Sequence, residues 1–118
     1  MSQFNETPQR HSPSNAPNRA FEEALAAFRY AQARWNLALY APGMLDKDVP
    51  QEENDRLCDD TCRARDRFIQ TPAPSLSALV RKLRIFQEEE LQDSENADEL
   101  VGCLVNDAAH LLRDQRRG

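Results

Sequence analysis

The sequence predicts an all-α protein, a three- to four-helix bundle built on an antiparallel helical hairpin, with a disordered N-terminal arm. Three observations lead there. Ala, Leu, Arg, Glu and Gln, the strong helix formers, dominate a chain with only 3 glycines. Four segments carry apolar residues at helical spacing, each bounded by a cap residue, Pro or Gly. No segment alternates apolar and polar residues as a half-buried strand would. The 118 residues are enough for one domain. A 40% hydrophobic and 30% charged composition suits a modest core with wet outer faces.

Residues 1–19 are polar, with Pro8, Pro13 and Pro17 among Ser, Asn and Gln. Such a stretch buries too little to offset ordering entropy, so it reads as a disordered arm. Residues 20–117 read as a single helical domain. Helix 1 is expected from Asn18, as N-cap, to about Tyr40, stopped by Pro42-Gly43. Its seam is Phe21, Ala24, Phe28, Ala31, Trp35 and Ala38, widened by Leu25 and Leu39. Alanine lets a partner backbone approach while the aromatics fill the flank, as core or as a homodimer interface.

Helix 2 is expected to be capped by Asp48, with Pro50 in its first turn and Gln51 in the capping-box position, and to end near Gln70. Its apolar face is thin: Leu57, Cys58, Thr61, Cys62, Phe68 and Ile69. Thr71-Pro72-Ala73-Pro74 is a stiff connector. Ser75 then caps helix 3, whose apolar side is read as Leu76, Leu79, Val80, Leu83 and Phe86. Its acids Glu88, Glu89 and Glu90 stand at the C-terminal end, where the helix dipole disfavours them. This marks either function or fraying after Gln87. Helix 4 opens at Asp93 or Ser94 and carries the cleanest stripe: Ala97, Leu100, Val101, Leu104, Val105, Ala108, Leu111 and Leu112. Gly102 inside it costs up to about 1 kcal/mol against Ala, which a close helix crossing would justify.

Helices 1 to 3 resemble a group of small uncharacterised helical proteins of α-proteobacteria, often associated with prophages or mobile elements. The resemblance rests on Ala24-Leu25-Ala26-Ala27-Phe28-Arg29-Tyr30-Ala31 and on Thr71-Pro72-Ala73-Pro74-Ser75-Leu76-Ser77-Ala78-Leu79 followed by Lys82-Leu83. It spans roughly residues 20–92. It implies a bacterial cytosolic setting and a helical hairpin plus a third helix. No activity comes with the group, so no functional residue is carried over. The longer arm, the cysteines and helix 4 depart from it.

Four function classes remain to be weighed. There is no secretory leader pattern and no membrane-length apolar run, which places the chain in the cytoplasm. Three cysteines, an odd number, fit a reducing compartment. Catalysis is not expected and no catalytic residue or cofactor is assigned: the chain has 2 histidines and no phosphate loop, nucleophile elbow or zinc-protease motif. Direct nucleic-acid binding is disfavoured by a net charge of -5. A zinc site is the sharpest chemical idea. Cys58 and Cys62 share one face of helix 2, and Cys103 and His110 share one face of helix 4. Between Phe86 and Leu112 there is no Lys or Arg. The acids Glu88, Glu89, Glu90, Asp93, Glu95, Asp98 and Glu99 there form either a solvated turn or a patch that docks on a basic protein. The expected role is therefore non-enzymatic binding or regulation through another protein. The alternatives are an acidic inhibitor of the DNA-mimic type and a zinc-stabilised structural domain.

Overall fold

A computed structural model describes residues 15–40 and 49–117. Four helices follow one another: α1 (Asn15–Tyr40), α2 (Gln51–Gln70), α3 (Leu76–Glu88) and α4 (Ala97–Arg117). A single 3-10 turn at Leu91–Asp93 joins the last two. The all-α bundle follows the sequence expectation, and its strongest packing is between α1 and α2.

These two helices form the antiparallel hairpin. Phe21 packs on Phe68 with ring centroids 5.1 Å apart. Further along, the Thr61 hydroxyl lies 2.8 Å from the Leu57 carbonyl and 3.2 Å from the Ala31 carbonyl of α1. Further still, the Trp35 indole N–H donates to Asn54 Oδ1 at 3.0 Å. Phe21, Phe28 and Ala31 are buried, and Ala24, Leu25, Trp35, Ala38 and Leu39 are half-buried. The Ala/aromatic seam of α1 thus packs largely within the chain, against α2 and the core.

α3 lies along α1 in the same direction. Phe21 and Ala78 line one shared cleft, and Gln32 donates to Glu89 at 3.4 Å near the other end. α4 crosses the C-terminal end of α2: Asn96 donates to Asp66 at 2.9 Å, and Asp107 takes the Ala73 N–H at 3.3 Å. The core cluster gathers Phe21, Phe28, Phe68, Ile69, Leu79, Ile85, Leu91, Leu100 and Leu104 with the small residues Ala73 and Ala78. None of its members comes from residues 29–63. The far half of the hairpin therefore overhangs the four-helix base. A 26-residue α1 is about 39 Å long and a 13-residue α3 only about 20 Å.

Local expectations are corrected at several points. α1 begins at Asn15, so residues 15–19 are helical, with Pro17 in the first turn, where a missing N–H breaks no helical bond. The rest of the expected arm, residues 1–14, lies outside the described residues, as do Asp48 and the Pro42-Gly43 stop. α2 begins at Gln51, with Pro50 at the cap position. The Gln51 amide donates forward to Asp55 at 2.8 Å. Ser75 does cap α3, accepting from Ala78 N at 3.2 Å. α3 does not fray after Gln87. Glu89 and Glu90 continue the bonding, to Ile85 O at 2.9 Å and Gln87 O at 3.1 Å. α4 opens at Ala97, after the 3-10 turn rather than at Asp93 or Ser94.

Gly102 faces open space. A Cβ there meets no heavy atom within 4 Å, so no close helix crossing requires the glycine.

Candidate functional site

The inward face of α3 is the largest departure from expectation. Ala78, Leu79, Lys82 and Ile85 are buried, while Leu76, Val80 and Leu83 face solvent. Lys82 is 0% exposed. Its ammonium meets Asp107 Oδ2 at 2.6 Å and donates to the Ile69 carbonyl at 2.7 Å. The other Asp107 oxygen holds the Ala73 N–H. One ion pair thus ties α3, α4, the end of α2 and the connector after it. Such a pair contributes little over two apolar residues, but removing one partner leaves a buried charge unpaired. The sequence carried a signal for it. Lys82 falls at helical spacing among Ala78, Leu79 and Ile85, and Asp107 among Leu100, Leu104 and Leu111. Opposite charges thus sit one on each of two apolar stripes, and the fold brings those stripes together.

α4 repeats the pattern. Leu100, Leu104 and Asp107 turn inward, while Val101, Val105 and Leu112 stay exposed at 42%, 62% and 53%. Leu76, Val80 and Leu83 on α3 are exposed at 58%, 41% and 46%. Each helix therefore shows two adjoining apolar stripes, one used in the core and one left in water. Sequence reading had merged the two stripes into one.

The acidic residues form a built corner between these helices. Leu91 is buried and anchors it. Its backbone is bonded at Asp93 N to Glu90 O (3.1 Å) and Ser94 N to Leu91 O (3.0 Å). Glu90 adopts the left-handed conformation at φ 53°, a strained place for a side chain with a Cβ. Glu88, Glu90, Asp93, Glu95, Asp98 and Glu99 are exposed, and Glu89 is half-buried beside Gln32. Among the described residues none of the seven is in an ion pair.

The four candidate zinc ligands do not come together. Among the described residues no three His, Cys, Asp or Glu side chains are placed to hold a metal ion. Cys58, Cys62 and Cys103 are free and half-buried. Burial pushes the Cys58 thiol above its ordinary value, and contact with Cys62 followed by Asp59 and Asp55 adds to that. His110 is exposed and contacts Arg113, not Asp107, which is turned inward to Lys82.

On the opposite flank of the hairpin a shallow groove of about 370 Å³ is floored by Ala24, Ala27 and Ala64 and edged by Arg34, Arg63, Arg67 and Asp60. Asp60 takes Arg63 at 3.7 Å, and Arg34 and Arg67 leave the groove edge basic. No helix among the described residues is long and apolar enough to cross a membrane. Comparison with protein-family models, with curated proteins and with solved structures gives no match.

Proposed function

We propose that this chain is a non-enzymatic protein-binding or regulatory module that docks through the outer stripes of α3 and α4. One observation carries the reading: six of the nine exposed large hydrophobic side chains among the described residues lie on these two helices, at helical spacing. Leu76, Val80, Leu83, Val101, Val105 and Leu112 are all exposed by 41% or more, and stripes of exposed large apolar side chains mark interaction faces. The acidic corner joins the two helices, so a basic rim on the partner complements it. A bacterial cytoplasm and a mobile-element origin belong to the same proposal. They rest on the resemblance of helices 1 to 3 and, for the compartment, on free thiols.

A second reading, an acidic inhibitor acting on a nucleic-acid enzyme through residues 88–99, is favoured by seven carboxylates, none in an ion pair among the described residues, on a hydrogen-bonded corner. The two separate by mutation. Affinity capture from lysate is compared for the wild type, for Leu83→Glu with Val105→Glu, and for Glu88→Lys with Glu90→Lys, at low and high salt. All four positions are exposed, so circular dichroism should stay unchanged. Loss of a salt-resistant partner in the first pair supports docking by the apolar stripes. Loss of a salt-sensitive partner in the second pair alone supports the acidic inhibitor. Retention of the same partners by both variants overturns both readings. A solution mass of about twice 13.5 kDa that falls to one protomer in the first pair identifies the partner as a second copy.

A further inference from the structure

Cys58 and Cys62 are a pair that the core does not use. On this part of α2 the buried side chains are Leu57 and Thr61, with Thr61 turned to the α1 backbone. Cys58 and Cys62 sit one residue further round, half-buried and free. Four residues apart, their Cβ atoms are about 5–6 Å apart on one face. Both thiols therefore stand on the same face of α2, one turn apart. They lie in the overhanging half of the hairpin, outside the core cluster. The same stripe runs one turn on to Asp66, which holds Asn96 at the foot of α4.

The chemistry of this donor set is selective. Two thiols one turn apart, with no third ligand among the described residues, leave zinc half-coordinated, because zinc takes four ligands in structural sites. A disulfide between them needs Cβ atoms about 3.5–4.5 Å apart, which means unwinding a helical turn. A soft d10 cation that accepts two thiolates in line fits without either problem, and thiolate donors select copper(I).

We infer that Cys58 and Cys62 form a two-thiolate site on α2 for copper(I). On binding, two S–H bonds break and two S–Cu bonds form. Two protons go to solvent and no electron is transferred. The metal stitches one turn of α2 in the half of the hairpin that only two helices support.

The test uses the full-length, reduced, untagged protein under anaerobic conditions. Copper(I) is titrated against a chromogenic copper(I) chelator, with zinc as a parallel probe. The wild type and Cys103→Ser should each withhold one equivalent of copper from the chelator. Cys58→Ser and Cys62→Ser should each bind it more weakly by over about a hundredfold, more than loss of a supporting contact causes. Serine is nearly isosteric, and unchanged circular dichroism of each variant separates ligand loss from unfolding. No copper withheld by the wild type overturns the site, as does equal binding by Cys58→Ser or Cys62→Ser. A loss confined to Cys103→Ser overturns it too. Zinc held as tightly as copper overturns the two-coordinate assignment.

Discussion

The two halves of the α1–α2 hairpin are built from one helix pair yet are stabilised differently. At the base, Phe21, Phe28, Phe68 and Ile69 are enclosed by α3, the 3-10 turn and α4. In the overhang, Ala31, Leu57 and Thr61 are buried at the α1–α2 seam, and Trp35, Leu39, Cys58 and Cys62 stay half-exposed. The overhang compensates with polar contacts: the Trp35–Asn54 bond and the Thr61 hydroxyl at the Ala31 carbonyl. A helix pair buries one stripe per helix, whereas a four-helix base buries side chains from every direction. Packing, more than propensity, gives a helix its stability, so the overhang should open first.

The comparison can be broken most sharply in the base. Lys82→Met strands Asp107 in the interior and should cost about 3–5 kcal/mol in chemical denaturation. The double variant Lys82→Met with Asp107→Leu should recover most of that loss. A double variant as unstable as the single one would mean that the Ile69 carbonyl and Ala73 N–H, not the charges, set the cost. Phe28→Ala should cost about 3–5 kcal/mol, since its cavity is walled on all sides. Leu57→Ala in the overhang should fall near the low end of the range for leucine, about 2 kcal/mol, because its surroundings can collapse toward solvent. Equal losses at the two positions would refute the division into base and overhang. Amide exchange checks it independently: residues 33–40 and 51–58 should exchange through local opening, and residues 66–69 and 79–85 only on global unfolding.

Two stabilising changes sharpen the picture. Glu90→Gly relieves a left-handed backbone at φ 53° and should add about 1 kcal/mol. Gly102→Ala, in open space within α4, should add about 0.5–1 kcal/mol. Both act on the base. They should slow exchange of the amides that report global unfolding and leave those of the overhang unchanged.

The hairpin was legible because its signals are local and redundant. Phe21, Phe28 and Trp35 alternate with alanine at helical spacing, and Ser75 stands three residues before the N–H that it caps. The outer stripes of α3 and α4 were not legible as such. Leu76, Leu79, Val80 and Leu83 form an apolar arc wider than the core needs, and residue chemistry does not say which edge faces in. A buried lysine runs against the expectation for its type, and only the Asp107 carboxylate beside it accounts for the burial of Lys82. The acidic corner was visible as composition, but its rigidity comes from the anchor at Leu91 and the turn bonds around it. The metal idea failed in its larger form because two helices that each carry paired ligands need not turn those faces together.

The sequence by itself determined the all-α class, the order of the helices and their approximate extents. Periodicity, caps and breakers act within a turn or two of the chain. Only the tertiary structure decided which stripe of α3 and α4 is core and that Lys82 and Asp107 are buried together. It also decided that Gly102 meets nothing and that the cysteines of α2 and α4 stay apart. Each of these depends on how one helix is rotated against its neighbours, and that rotation is set by contacts between residues far apart in the chain.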